Sequence, residues 1–278
     1  MIIDNNFFSL KNQFSLSIEK INLISLFFKN TVLLLTRRTF LGNLWLVIKP
    51  GFPLATFAIV FGFFFELNNR ETPYLIMLTS AYVCWSVFSE TLYWTTRTFE
   101  ANKKIQKKIS LPYPLLPLGS SLVGLLMMLV SLFFLISSLV YYIFVKDFSF
   151  NFGFLNFVIF LTSILIVYFF ALGIGFFTSI FNAKYRDTKF TVRMVLSGIM
   201  YLTPVMYPID KIPETFHSIY FLINPLAAPV IACKYSITNN IENIPFNSLT
   251  LSFIIAIIFV ITGLYFYIKN IKNGLVIN

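Results

Sequence analysis

Apolar runs, each bounded by a short polar break, make up most of the chain. Five of them, residues 46–65, 74–94, 115–145, 154–181 and 249–268, are long and apolar enough to cross a bilayer as helices, which takes roughly 20 residues. A sixth, 190–207, is shorter, carries Arg193 near its start and meets Pro204 and Pro208 at its end. The 115–145 run exceeds what a membrane requires, which predicts a tilted or projecting helix. The pattern predicts an all-α polytopic membrane protein with six transmembrane helices.

Two further segments break the simple alternation. "FHSIYFLINPLAAPVIACKYSI", 216–237, is long enough to cross, but Asn224-Pro225 and Pro229 sit near its middle. Proline lacks an amide donor and disfavours helix in the residue before it. Two half-helices joined at "NP" predict a re-entrant outer hairpin between spans 5 and 6; a kinked full span is the alternative. Upstream of the first span, "EKINLISLFFKNTVLLLTRR" has helical periodicity. Asn22, Ser25, Lys29 and Thr36 share a polar stripe, and Ile24, Phe27, Phe28, Val32 and Leu35 share the opposite face. This predicts an amphipathic helix at the inner membrane surface.

Composition sharpens the solvent assignment. The chain is 58% hydrophobic and 12% charged with a mean hydropathy of +0.81, about half the roughly 25% charge of a soluble domain, so lipid must solvate most of it. The distribution of Lys and Arg then sets topology. With six spans and a hairpin, one side receives 17 basic residues and the other only 4, Arg70, Lys146, Lys211 and Lys234, which accounts for all 21. Both termini are therefore expected in the cytoplasm, with the chain in the inner membrane. The expected layout is one domain: an interfacial region over 1–45, a bundle over 46–268 and a cytoplasmic tail over 269–278. No leader pattern is visible, so the mature chain is expected to begin near Met1. Cys84 and Cys233 are read as small buried hydrophobes.

Several chemistries lack their residues. No glycine-rich phosphate loop of the G-x-x-x-x-G-K-[ST] type is present, so the chain is not expected to bind ATP by that route, and no cofactor, metal or catalytic residue is expected in it; energy must come from elsewhere, or transport is passive. The single histidine, His217, supports neither a triad nor a metal site. Ionisable groups inside the spans are nearly absent apart from Glu90, which is expected either to snorkel to the nearby helix end or to pair with a basic neighbour. Three basic clusters remain: "TRRTFLGNLWLVIKPG" at 36–51, "RTFEANKKIQKKISLPYPLLPL" at 97–118, and "NAKYRDTKF" at 182–190 with Arg193 behind it. Each reads as solvated helix ends, as lipid-phosphate binding or as a dock for a soluble partner. "FEANKKIQKK" predicts one short polar helix stopped by Pro112. Arg186 and Asp187, adjacent in the turn between spans 4 and 5, point in different directions and are expected to tie that turn to neighbouring helices. Aromatic-rich stretches such as "TFAIVFGFFF" and "MYLTPVMYP" offer flat surfaces on which a sugar could slide, and a wide conduit would need two copies of the chain.

These pieces together resemble a known family. "RRTFLGNLWLVIKP" is similar to the R-x-x-x-LG-x-LW-x-x-x-x-P opening of bacterial polysaccharide-export ABC permeases. The 181–229 stretch resembles their YRD … TPV-x-YP … P … NP segment, and "LPYPLLPL" their segment after the second span, in the same order. The resemblance implies a homodimer docking two copies of a separate ATPase subunit, which binds ATP and Mg, and exporting a lipid-linked glycan, with O-antigen on undecaprenyl pyrophosphate as the leading cargo. It implies coupling contacts from Arg97, Glu100, Lys103, Lys104 and Lys107. It implies lipid-phosphate binding at Arg37, Arg38 and Lys49, and an outer gate at Asn224 and Pro225. Trp45, Phe57, Phe61, Tyr201, Met206 and Tyr207 are the expected channel lining. Tyr113 and Pro114 depart from the charged residue that many members carry after the proline. No nucleic-acid partner is expected. The alternatives are the same machine carrying teichoic acid, capsule, a drug, haem or another lipid, and, from a different class, a membrane-embedded glycan polymerase or an ion-coupled flippase.

Overall fold

The computed structural model describes residues 21–37, 39–64, 73–106, 114–148 and 150–272. In chain order the helices are α1 (Leu23–Thr36), α2 (Leu44–Phe57), which continues as a π-helix over Ala58–Phe64, α3 (Tyr74–Thr96), α4 (Thr98–Ala101) and α5 (Lys103–Gln106). They are followed by α6 (Leu115–Lys146), α7 (Phe154–Lys184), α8 (Thr188–Leu202), α9 (His217–Ile223), α10 (Ala227–Ile237) and α11 (Phe246–Lys272). Among the described residues five helices are long and apolar enough to cross a membrane, and a bent pair raises the number to six. The all-helical membrane architecture, the short N-terminal apolar helix and the bent pair are all present.

The bundle is built around α3. Its sequence mixes Ser, Thr and Ala with large apolar residues on every side, and a helix without a polar face belongs inside; 18 of its residues are buried, from Tyr74 to Thr96. Small residues let its neighbours approach closely. A Cβ at Gly175 of α7 would stand 2.6 Å from the Thr95 side chain, and one at Gly173 would stand 2.6 Å from the Phe259 carbonyl carbon of α11. Hydroxyl pairs line the same seams: Thr79–Ser138 at 3.1 Å, Ser131–Ser86 at 2.9 Å and Thr96–Thr178 at 2.7 Å. Such bonds average only about 0.6 kcal/mol in a membrane, so close packing carries more of the seam than they do. Cys84 and Cys233 are free and buried in this core.

Helix α6, with 32 residues, is about 48 Å long, well beyond a hydrocarbon core of about 30 Å. It stops at Asp147, which adopts the left-handed conformation (φ 51°) and returns its N–H to the Tyr142 carbonyl. Helix α1 turns its expected apolar face inward. Phe27 is buried, Ile24, Phe28, Val32 and Leu35 are half-buried, and Leu26 and Leu33 are exposed on the remaining surface.

Helix α8 differs from the expected 190–207 span: it has 15 residues, about 22 Å, and ends at Thr203 ahead of Pro204. The segment nevertheless runs alongside most of α3. Arg193 bonds Tyr93 near one end of α3, and Tyr74 at the other end of α3 donates to the Met206 carbonyl at 2.8 Å. Between Tyr74 and Tyr93, α3 climbs about 28 Å, and the segment 193–206 covers the same height. Beyond it, two short 3-10 turns lead into α9, and the hairpin bends by 115° between Glu214–Ile223 and Ala227–Ile237. The break falls at Asn224-Pro225, where the pre-proline residue leaves helical geometry (φ −117°, ψ 85°).

Candidate functional site: a basic, aromatic cavity at one end of the bundle

Three helices bring charge together at the end of the molecule that carries α1, α4 and α5. The last turns of α3 place Glu90, Tyr93, Trp94 and Arg97 on one face, since residues three, four and seven apart share a side. Helix α2 contributes Trp45 and Lys49, and α8 contributes Lys189 and Arg193, each pair four residues apart. They enclose a cavity of about 220 Å³ whose lining includes Trp45, Lys49, Tyr93, Trp94, Arg97 and Arg193.

Most of these charges are paired. Lys49 Nζ lies 2.6 Å from Glu90 Oε2, which also accepts from Trp94 Nε1 at 3.1 Å. The Glu90 pairing follows the sequence expectation. Arg97 stacks over the Tyr93 and Trp94 rings at 5.3 Å each and donates to the Tyr93 hydroxyl at 2.8 Å. Arg97 also reaches Glu100 at 3.1 and 3.3 Å, and Lys189 reaches both oxygens of Glu100 at 3.0 and 3.1 Å. Burial pushes the Glu100 carboxyl up, but the hydrogen bonds from Arg97 and Lys189 outweigh it and hold it below its ordinary value. For Arg97 burial acts downward, and the bond to Glu100 and the Tyr93 contact carry the net shift upward.

Arg193 stands apart. It bonds the Tyr93 hydroxyl at 2.5 Å and lies 4.7 Å from that ring's centre, yet among the described residues no carboxylate comes within ion-pair distance of it. A guanidinium in a cavity without a counter-charge has donors to spare, in the fork geometry that suits phosphate and carboxylate oxygens.

The sequence-predicted residues divide unevenly around this site. Of the expected phosphate group, Lys49 lines the cavity, Arg37 is exposed without an ion pair among the described residues, and Arg38 lies outside the described residues. In the coupling segment, Arg97 and Glu100 are joined and Lys103 is exposed, while Lys107 and the side chain of Lys104 lie outside the described residues. The single polar helix expected there is two one-turn helices instead. They break at Asn102, whose buried side chain donates to Thr98 O and the Ser120 hydroxyl and accepts from Asn30. An Asn that can satisfy neighbouring backbone groups competes with helix continuation. Arg186 and Asp187 are exposed and make no side-chain bond or ion pair among the described residues, contrary to the expectation that they tie down the turn. The turn is held by Lys189 and Arg193, which face α3 from within the helix, whereas 186 and 187 precede it.

Among the aromatics, Trp45 and Tyr201 are exposed, Phe57, Phe61 and Tyr207 are half-buried, and Met206 is 2% exposed. At the opposite end of the molecule, the Leu202 carbonyl, left over at the end of α8, accepts from Tyr220 at 2.8 Å and from Tyr207 and Asn224 at 3.2 Å each. Asn224 also donates to Thr203 Oγ1 at 3.1 Å, and its Oδ1 accepts the Leu226 amide two residues on. Pro225 is half-buried beside it. Tyr93, Trp94 and Lys234 escaped the sequence reading. The i, i+3, i+4, i+7 spacing of 90, 93, 94 and 97 was the available signal for the first two.

A multi-pass helical bundle with a short split helix and a charged cavity at one end, and a re-entrant pair at the other, is the form of a membrane transport domain. The chain belongs to the ABC-2 type transporter family, whose sequence profile matches residues 22–237. It is similar to two proteins of Klebsiella pneumoniae named O-antigen export system permease protein RfbA. Identity is 27% in each case, over 82% of this chain and 84% of one, and over 84% of this chain and 86% of the other. A protein of the same name from Myxococcus xanthus is 22% identical over 69% of this chain and 71% of its own length.

Proposed function

We propose that this chain is the permease subunit of an ABC exporter that moves a lipid-linked polysaccharide of the O-antigen class across the inner membrane. As an ABC-2 type membrane domain it works with an ATPase partner, whose docking surface here is the split segment 98–106. The basic end faces the cytoplasm, as do both termini, and two copies of the chain surround the conduit. The exposed apolar faces of α2 and α8, with Phe52 at 72% and Met194 at 70% exposure, support that pairing.

The observation that carries the reading is Arg193, which pairs with no carboxylate among the described residues, in an aromatic-walled cavity beside Lys49 and Arg97. A carrier pyrophosphate offers oxygens to the guanidinium, while Trp45 and Trp94 face the apolar and sugar portions. The test is reconstitution with the ATPase subunit in liposomes containing the lipid-linked glycan. Arg193→Ala should raise the glycan concentration needed for half-maximal stimulation of ATP hydrolysis about tenfold, as expected for losing about 1.5 kcal/mol from a charged hydrogen bond, with little change in basal hydrolysis. Export by the chain alone at full rate without ATP, or unaltered surface glycan in a deletion strain, would overturn the reading.

A further inference from the structure

A second cavity, of about 260 Å³, lies at the hairpin end, and the function above makes no use of it. Tyr74, Tyr207, Asp210, Lys234, Asn240 and Asn243 contribute to its walls. Lys234 is the unexpected member: it comes from the apolar stretch "PLAAPVIACKYSI" and is 3% exposed. Lysine is almost never fully buried without a partner. Here its ammonium donates to the carbonyls of Pro204 and Tyr207, the latter at 2.9 Å, and among the described residues no carboxylate lies within 4 Å of it. An ammonium has three N–H donors, so one is left over.

The other polar groups of the cavity are also incompletely used. Asn243 Nδ2 donates to Asn240 Oδ1 at 2.9 Å, which leaves the Asn240 amide donor and the Asn243 carbonyl acceptor without partners among the described residues. The Asp210 carboxylate makes no ion pair there either. Donors (Lys234, Asn240) and acceptors (the exposed Asn243 and Asp210) thus line one volume. A simple anion would satisfy the first pair and be repelled by Asp210, and a cation would meet the reverse. Vicinal hydroxyl groups, each donor and acceptor at once, satisfy both sets. Tyr74 and Tyr207 add aromatic wall, a surface that suits the C–H groups of a six-membered ring. The volume, below the roughly 300–1,000 Å³ of sites for drug-sized ligands, suits one such ring.

We propose that this cavity is a binding subsite for a single sugar residue of the exported chain. The proposal rests on the glycan-export reading and adds a second contact at the far side of the membrane. The lysine that meets the sugar also holds the 204 and 207 carbonyls, so an occupied subsite steadies the joint between α8 and the hairpin.

The test uses the intact complex, permease with ATPase subunit, in nanodiscs. The probe is one repeating unit of the producing strain's own glycan, freed from its carrier by mild acid. Saturation-transfer NMR on the wild type should show ring protons in contact with protein. The double substitution Asn240→Leu, Asn243→Leu should weaken the apparent affinity about tenfold while stimulation of ATP hydrolysis by the full lipid-linked glycan persists. Arg193→Ala should do the reverse, sparing the sugar contact and raising about tenfold the glycan concentration needed for half-maximal stimulation. A wild type with normal stimulation but no sugar contact overturns the subsite alone, as does an affinity equal in wild type and double variant, the result expected of a merely water-filled cavity. A wild type lacking both contact and stimulation overturns the export reading as well.

Discussion

Helices α3 and α8 traverse the same height of the molecule and are held in opposite ways. Helix α3 is in contact on all sides, with Thr91 and Thr95 set against glycines of α6 and α7. Helix α8 buries only Val192 and Leu196 along its length and exposes Phe190, Met194, Tyr201 and Leu202. It is fixed at its ends, by Lys189 and Arg193 to the α3–α4 corner and by the Leu202 carbonyl and Lys234 to the hairpin. A close-packed seam has no second position of similar energy, whereas a rod pinned at both ends shifts as one piece when either pin moves. The contrast teaches where movement can pass through this fold: from the α3–α4 corner, along α8, to the hairpin.

The sharpest way to break the contrast is to place the same bulk in both regions. Gly173→Val would drive its branches into the Phe259 backbone, and it should cost about 3 kcal/mol, the upper end for overpacking. Gly198→Val on α8 meets nothing within 4 Å of its Cβ and should stay within about 0.5 kcal/mol of wild type. Thermal unfolding in detergent measures both, and equal losses would erase the distinction. Next in size, Asn224→Ala removes the bonds to Leu202 and Thr203 and the turn bond to Leu226, and should cost about 1–2 kcal/mol. Its effect should appear as faster hydrogen exchange at residues 202–208 and in α9, with α3 unchanged.

The smallest effect lies at the exposed pin. Glu100→Gln weakens the link to Lys189 of α8 along with the bond from Arg97, and because the carboxylate is 42% exposed the loss should be under about 1 kcal/mol and should shrink further in high salt. Its pH dependence has a definite sign. The folded carboxyl titrates below the unfolded value of 4.5, so the contribution is complete above 4.5 and fades as pH falls below it through the folded value. Wild type and variant should therefore differ in unfolding temperature at neutral pH and converge in acid. A difference that grows on acidification would exclude Glu100 as the pin.

Much of the fold was legible because lipid imposes a simple rule, long apolar runs between polar breaks, and because Asn224-Pro225 interrupts one run where backbone chemistry demands it. What escaped was set by neighbours distant in sequence. The end of α8 at Leu202 and the split at Asn102 depend on Tyr220, Asn224, Asn30 and Ser120, which no local pattern brings near. The basic cavity was half legible. Lys49 was visible as a charge beside an apolar run, but Arg193 looked like an ordinary helix-end cation, since its pairing depends on which side chains the fold brings around it. Lys234 was harder still, because composition treats a lone lysine near the membrane surface as solvated.

The widened turn at Ala58–Phe64 in the first span gives that helix a place to absorb an extra residue. Elsewhere in a span, inserting or deleting one position rotates everything beyond it by about 100° and moves every side chain off its seam. Here a one-residue deletion can be taken up by tightening the loop of backbone, with Trp45 and Lys49 left where they are. Length variation among relatives that keep the same basic cavity should therefore collect at this stretch.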